Sequence, residues 1–303
     1  MKQPQFYIMI LFLGFGFPVE AQNIGPTFKL IDTTKIKCTY QFRFLMDSTK
    51  MQYNNNKDSN TIKIGDLYVV NIGENITQNY CYQTFYVDSI DSTPAGRQKR
   101  ANDLSDFIRG APDPKTNWDL FAEYSKGMNE VWHNRGFFQF YLYKDYKEEK
   151  ITVRDNISTN AFYYEDELKP QDWTILEDTM TILDYTCQKA ICSWRGRDWV
   201  AWFASDIPIN EGPWKFYGLP GLIMKLEDTE LHYSFTMIGL QRQNEPMYMH
   251  VGNNNSRKIN RLSFLRLKMN RTGTDLVAMD LAKVGISGVG SWEHYDHIER
   301  DYK

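Results

Sequence analysis

The most distinctive part of the sequence is a run of glycines, prolines and large apolar side chains: Gly212-Pro213-Trp214-Lys215-Phe216-Tyr217-Gly218-Leu219-Pro220-Gly221-Leu222-Ile223. Three glycines and two prolines fall between Gly212 and Gly221, a density that interrupts helices and regular strands. The dipeptides at its two ends, Gly-Pro and Pro-Gly, favour turns because proline presets φ and glycine accepts positive φ. The aromatic side chains between the turns are costly to expose to water. The sequence therefore predicts a loop that folds back and packs against its neighbours.

The segments on either side of this loop, residues 198–204 and 222–227, are short and mostly apolar, which is typical of strands. Two interpretations of the loop remain open. Its large side chains form a structural turn packed into the core, or they contact a ligand. In the second interpretation, Asp206 is a polar candidate for contact with the ligand, because it lies at a strand end, where binding residues are often found. The ligand-binding candidates are Trp202, Asp206, Trp214, Phe216, Tyr217 and Leu219.

The run Gly218 to Ile223 resembles the defining motif of the GLPGLI family, secreted proteins of Bacteroidota-type bacteria. The resemblance is specific over about 173–240 and diffuse elsewhere. It also includes the segments Cys187 to Ala190, Trp194 to Arg197, Ala201 to Phe203, Asp206 to Ile209, and Gly212-Pro213. The family implies secretion but has no established activity, so no catalytic residue is carried over.

The N-terminus has the pattern of a secretory signal peptide over residues 1–21. One lysine precedes an apolar run from Phe6 to Phe17, and small residues, Val19 and Ala21, stand at −3 and −1 before the cleavage point. The 12 apolar residues fall short of the ~20 needed to span a bilayer. We expect a mature chain of 22–303 in the periplasm or cell envelope of a Gram-negative bacterium, with no transmembrane segment.

The composition favours one β-rich domain over 22–303. Aromatic residues make up 15% of the chain and suit sheet faces. The net charge of −3 argues against nucleic acid as a partner, since binding to phosphates requires a basic surface.

Along the chain, short alternating runs predict an antiparallel meander that includes strands at 36–45, 67–72 and 79–87. Helical spacing predicts a helical insertion over 97–135 and a C-terminal helix within 256–269. The fold class is therefore mainly β (α+β). We expect a strongly curved antiparallel sheet or half-barrel of about ten strands, with helices across its concave face. It is similar in element order to periplasmic lipoprotein-carrier folds. The end, 285–303, is predicted to be a flexible tail.

Two further groups of residues are candidate sites. Cys38 and Cys81 lie in early strands and are candidates for a disulfide, with free buried thiols as the alternative. Cys187 and Cys192 lie in one predicted strand, too far apart to bond unless a bulge or turn lies between them. His294 and His297 stand three apart among carboxylates, a spacing that suits a metal site, with an ordinary polar terminus as the alternative.

The sequence has no nucleophile elbow and no phosphate-binding glycine loop, so no catalytic residue and no cofactor are predicted. The first functional hypothesis is a non-catalytic periplasmic binding or carrier protein for an apolar ligand, namely a lipid, lipopeptide or peptide. The second is an accessory partner of an outer-membrane transport system. The third is an enzyme of unknown class, assisted by a metal at His294 and His297.

Overall fold

The computed structural model describes residues 27–45, 62–112, 117, 120, 138–157, 160–252, 256–270 and 297–302; the predicted signal peptide lies outside them. The strands are β1 (Thr27–Leu45), β2 (Ile62–Ile72), β3 (Ile76–Cys81), β4 (Tyr141–Asp145), β5 (Lys150–Ile157), β6 (Asn160–Glu167), β7 (Thr174–Ile182), β8 (Tyr185–Trp194), β9 (Arg197–Ala204), β10 (Leu222–Asp228), β11 (Tyr233–Gly252) and β12 (Arg257–Lys258). The helices are α1 (Tyr82–Asp91), α2 (Pro94–Gly110) and α3 (Arg261–Asn270).

All twelve of these strands belong to one sheet, in the order β12-β6-β5-β4-β3-β2-β1-β11-β10-β9-β8-β7. Two antiparallel meanders, β1 to β6 and β7 to β11, are joined where β1 pairs with β11. Within a meander each strand is followed by its spatial neighbour, and a two-residue turn can join them, as Arg195-Gly196 does between β8 and β9 with φ of 50° and 78°. Longer connections join β3 to β4 and β9 to β10.

The sheet is strongly curved, and the chain length between β6 and β7 requires it. Glu167 ends β6 and Thr174 begins β7, yet ten inter-strand steps separate them in the sheet order. A flat sheet would place these strands roughly 48 Å apart. The link of six residues reaches at most about 25 Å. The sheet therefore bends back on itself without closing, which confirms the predicted mainly β, curved and open architecture.

The core lies inside this curve. Apolar side chains from β1 to β6 and from β7 to β11 meet there with the 205–221 loop and with Phe264 and Leu265 of α3. A second, smaller cluster lies on the outer face, where Phe85 of α1 packs against Val69, Tyr80 and Tyr141. The two-residue alternation of the strands sends one set of side chains to each face.

Three sequence-based predictions need correction or restriction. The strand expected at 79–87 ends at Cys81, and α1 follows, because Thr84, Val87, Asp88 and Asp91 form a buried stripe at helical spacing. The helical insertion predicted at 97–135 begins earlier, at Pro94 within α2, and most of its second half lies outside the described residues. The predicted flexible tail is wrong for residues 297–302, which are packed with Glu299 fully buried, while 285–296 lie outside the described part. The predicted C-terminal helix is α3.

The candidate disulfide between Cys38 and Cys81 is not formed, and all four cysteines are buried thiols. Strand β2 lies between the two residues, since Cys38 is paired with Val70 and Cys81 with Tyr68. Two inter-strand steps amount to roughly 10 Å, beyond the ~7 Å that a disulfide spans between Cα atoms.

Among the helices of the described residues, none combines the length and the apolar character needed to cross a membrane.

Candidate functional site

The 205–221 loop leaves β9, folds into the concave side of the sheet and returns as β10. Its ends are tied together by main-chain hydrogen bonds from Gly218 N to Asn210 O (3.2 Å) and from Ile223 N to Glu211 O (2.9 Å). Trp214 and Gly218 have positive φ, 55° and 93°. Tyr68, on β2, holds the loop against the sheet: its hydroxyl accepts a hydrogen bond from Trp214 N (3.1 Å). The loop is therefore a fixed part of the core.

The candidate ligand-binding residues do not form one accessible wall. Trp214, Phe216 and Leu219 are buried, and the Phe216 ring lies 4.6 Å from the ring of Trp199. Tyr217 is 8% exposed. Trp202 is half-buried under Lys189, and Asp206 is exposed. The aromatic side chains of the loop thus fill the concavity that an apolar ligand would have occupied.

A buried ion pair anchors the start of the loop. Lys144, on β4, is fully buried, and its Nζ lies 2.8 Å from Glu211 Oε2. The same ammonium donates to the carbonyl oxygens of Gly212 (3.1 Å) and Phe216 (2.9 Å). Burial lowers the pKa of Lys144, and the Glu211 carboxylate opposes that change. All three donors of the ammonium thus have partners on the loop.

The other oxygen of Glu211 is also satisfied. Thr77 Oγ1, on β3, donates to Oε1 at 2.5 Å, and the Tyr146 hydroxyl donates to the same oxygen. Burial, reinforced by the nearby Glu211 charge, raises the pKa of Tyr146, so it stays a donor. Strands β3 and β4 therefore hold the loop through a saturated polar network.

A second buried lysine, Lys215, holds the tip of the loop. Its Nζ lies 2.8 Å from Asp166 Oδ2 on β6 and 2.7 Å from Glu299 Oε1. The indole N–H of Trp214 donates to the same Glu299 oxygen at 3.2 Å. The loop, one end of β6 and the C-terminal segment, defined as residues 297–302, meet at this point.

Two arginines complete the surroundings of Glu299. Arg195, from the β8–β9 turn, pairs with Glu299 and lies 2.8 Å from Asp166. Arg261, at the start of α3, lies 2.6 Å from Glu299 and 2.5 Å from Asp301. Burial alone would raise the pKa of Glu299, but Lys215, Arg195 and Arg261 outweigh it, and the pKa lies below its ordinary value. The pKa of Asp166 is likewise lowered, since Lys215 and Arg195 outweigh its burial.

Main-chain groups of the C-terminal segment are bound as well. Arg197, buried on β9, pairs with Asp228 at 2.7 Å and donates to His297 O at 2.8 Å. Arg300 N donates to Arg195 O at 2.8 Å. Tyr302 O accepts a hydrogen bond from Arg266 Nε of α3 at 3.0 Å. The segment is thus held from one end to the other.

Two cavities flank the C-terminal segment. The larger, about 740 Å³, is lined by Glu165, Asp166, Lys258, Ile259, Asn260, Arg261 and Leu262. The smaller, about 260 Å³, is lined by residues of the β8–β9 turn, the β10–β11 turn and Arg300. Residues that bind Glu299 line both: Arg261 the first and Arg195 the second. Five of the seven residues that line the larger cavity are charged or polar, and Ile259 and Leu262 add apolar surface.

The structure gives limited support for a metal site. Within the described residues, Asp228, Glu230 and His232 bring ligand atoms within 4.8 Å of one another. Arg197 and Arg300 already pair with these carboxylates, so their charges oppose a cation there. Of the predicted pair, His297 is buried, and His294 lies outside the described residues.

Comparisons with known proteins found a likeness in one part of this site. Residues 196–225, which include β9, the loop and the start of β10, match a family described as a protein of unknown function (Porph_ging). No curated protein matches the sequence. Two solved structures of PNGF-II, in P21 and C2 space groups, superpose on 79% of this chain with a TM-score of 0.47, at 13% and 12% identity. The chain spans about a third of their length, 34%.

Sequence reasoning missed the charged half of this site. This half consists of four buried charged residues, Lys144, Glu211, Lys215 and Glu299. Ionised side chains ordinarily lie on the surface, so burial was not expected for them. One signal was present: Lys215 stands between Trp214 and Phe216 in a run otherwise predicted to be buried. A charge enclosed by core residues requires a buried counter-ion.

Proposed function

We propose that this protein is a non-catalytic binding protein of the cell envelope whose ligand is an extended polypeptide segment. The observation that carries the proposal is an open stretch of sheet edge beside the larger cavity. Strand β12 covers β6 only at Phe162 and Tyr163. Beyond that point, no strand of the described residues pairs with Tyr164–Glu167 on the β12 side.

The exposed main-chain groups of β6 can be assigned from its pairing. Tyr163 O accepts a hydrogen bond from Ile259 N at 3.0 Å, so the polar groups of Tyr163 face β12. In an antiparallel ladder, the N–H and C=O of one residue point to the same side, and the side alternates along the strand. The N–H and C=O of Glu165 therefore face the cavity that Glu165 itself lines. An extended peptide binds such an edge through main-chain hydrogen bonds.

The size and lining of the cavity support a peptide over a lipid. Its volume of about 740 Å³ lies in the ordinary range for ligand sites. Its lining combines Glu165, Lys258 and Arg261 with two apolar side chains, Ile259 and Leu262. The 205–221 loop was the expected surface for an acyl chain, but its own side chains pack into the core and leave no such surface there. A peptide offers polar partners to such a lining, and an acyl chain does not.

A peptide ligand is compatible with the hypothesis of an accessory partner, because the segment could belong to an envelope protein. The localisation rests on the signal peptide pattern at 1–21, and the bacterial source on the family resemblance.

The test is selection from a random dodecapeptide library displayed on phage, with Glu165→Pro and Glu165→Ala as the matched pair of variants. Proline removes the N–H that faces the cavity while leaving the ladder to β5 intact, whereas alanine keeps that N–H. We expect the natural chain and E165A to select peptides and E165P to lose their binding. Equal binding to all three chains would contradict the proposal. So would a lipid, but no peptide, found by native mass spectrometry of protein purified from the envelope.

A further inference from the structure

Among the described residues, it is the C-terminal segment that neutralises the positive charge around Glu299. Arg195, Lys215 and Arg261 contribute three positive charges, and Asp166 contributes one negative charge. The body of the protein therefore holds a net charge of +2 at this point (3 − 1). Glu299 and Asp301 supply the two missing negative charges. Arg300 does not disturb this balance, because its guanidinium pairs with Glu230 in the β10–β11 turn.

The groups that bind Glu299 come from three separate parts of the body. They are Arg195 of the β8–β9 turn, Trp214 and Lys215 of the loop, and Arg261 of α3, and together we call them the Glu299 receptor. Three of the four are fixed independently of the segment: Lys215 and Arg195 by Asp166, and Trp214 by Tyr68 and by the ring of Phe140. The fourth, Arg261, pairs with Glu299 and Asp301 of the segment itself. A set of donors held this way is preorganised for a carboxylate.

The segment leaves space on both sides. The cavity of about 740 Å³ includes Arg261 and Asp166, and the cavity of about 260 Å³ includes Arg195 and Arg300. Residues that bind the segment thus also line open space, which a second chain can reach.

We propose that the Glu299 receptor is a recognition site for acidic segments with the pattern Glu-x-Asp, and that residues 297–302 occupy it as a ligand in cis. The same segment of a second copy of this chain is the occupant in trans. In trans, its glutamate takes the four donors of the receptor, and its aspartate takes the outer face of Arg261. This site adjoins the β6 edge, since Asp166 and Arg261 line the same cavity as Glu165, and its tests therefore use variants other than E165P.

The first experiment uses the full natural chain and a synthetic peptide with the sequence of residues 297–302. Hydrogen exchange of the main-chain amides in that segment of the protein is followed with and without the peptide. We expect millimolar peptide to speed exchange at residues 298–302 by about tenfold, because it competes for the receptor each time the segment opens. The same peptide with Glu299→Gln serves as the matched control, and it should leave the exchange rate unchanged. No acceleration by the natural peptide would overturn the proposal.

The second experiment weakens the occupant in cis. The full chain with Glu299→Gln keeps the shape of the segment but loses its charge on the receptor. It should bind the labelled natural peptide at least about tenfold more tightly than the natural chain does. Arg261→Ala added to this variant should abolish that gain. A folded E299Q chain with no gain in affinity would overturn the proposal. If E299Q fails to fold, the exchange experiment on the natural chain decides alone.

Discussion

Lys144 Nζ lies 2.8 Å from Glu211 Oε2, with 0% and 5% of the two side chains exposed. This pair joins β4 to the start of the 205–221 loop, and the lysine also caps two loop carbonyls. Removing one partner of a buried pair leaves the other charge without compensation, which is far more costly than the pair is favourable.

Lys144→Met should therefore lower the free energy of unfolding by about 3–5 kcal/mol. Urea denaturation followed by tryptophan fluorescence measures the change. Lys169→Met is the matched control, since Lys169 is 71% exposed in its pair with Glu167 and should shift stability by no more than about 1 kcal/mol. The double variant K144M/E211L should be less destabilised than K144M, because no charge is then left buried. Equal stability of K144M and K169M would contradict this account.

The glycines of the loop should not tolerate a side chain. A Cβ at Gly221 would lie 2.2 Å from Ala204 O, and one at Gly218, where φ is 93°, would lie 2.5 Å from Pro170 Cβ. Alanine at either position should destabilise the protein by about 1–3 kcal/mol. At Gly239 on β11 the nearest atom is 3.7 Å away, so Gly239→Ala should be neutral or slightly stabilising. Thermal unfolding of the three variants gives the comparison, and similar melting temperatures would argue against a rigid loop.

Acid should weaken the contact between the loop and the C-terminal segment. The folded-state pKa values of Glu299 and Asp166 lie below their ordinary values of 4.5 and 3.8. The unfolded chain therefore takes up protons first as pH falls, and the stability that these carboxylates contribute is present above those values and lost below them. Urea midpoints measured from neutral pH down through this range should fall. Glu299→Gln should flatten the dependence, whereas Glu177→Gln on exposed β7 should not. A natural chain with constant midpoints would contradict the prediction.

The four cysteines should behave as protected thiols. Burial raises the pKa of Cys192 to about 12, with Asp198 and Asp172 adding to the effect, and burial raises the pKa of Cys38 as well. Thiolates react and thiols do not, so a thiol reagent should modify the folded chain slowly. In denaturant, four thiols per chain should react. A reductant should leave the unfolding midpoint unchanged, and a shift with reductant would point to a disulfide instead.

The apolar half of the site was predictable from the sequence, and the charged half was not. The cost of exposing Trp214, Phe216 and Leu219 was enough to predict a packed loop between two strands, and all three are in the core. The same composition did not distinguish a core from a ligand surface, because both use aromatic side chains. That choice depends on whether the curved sheet leaves space for a ligand beside the loop, and a local sequence pattern does not predict the width of the curve.

The C-terminal segment could not be predicted because its polar residues have partners far away in sequence. Glu299 is bound by Arg195 and Lys215, and a short run of charged residues at a chain end is ordinarily solvated. Arg195 and Arg197 flank a turn, where charged side chains are ordinarily solvated, yet they pair with Glu299 and Asp228. The curvature that brings β6 next to the β8–β9 turn is what joins these groups.

The pairing of β1 with β11 has a consequence for the newly synthesised chain. Thr27 is aligned with Gly252 and Phe44 with Tyr233, so the partner of the first strand is among the last to be made. Until then, a 19-residue strand edge has no neighbour on one side. Contacts this distant in sequence form slowly, and an unpaired edge recruits strands from other molecules. The nascent polypeptide is thus most prone to self-association between the emergence of its sixth and its eleventh strand, when a chaperone would protect it most.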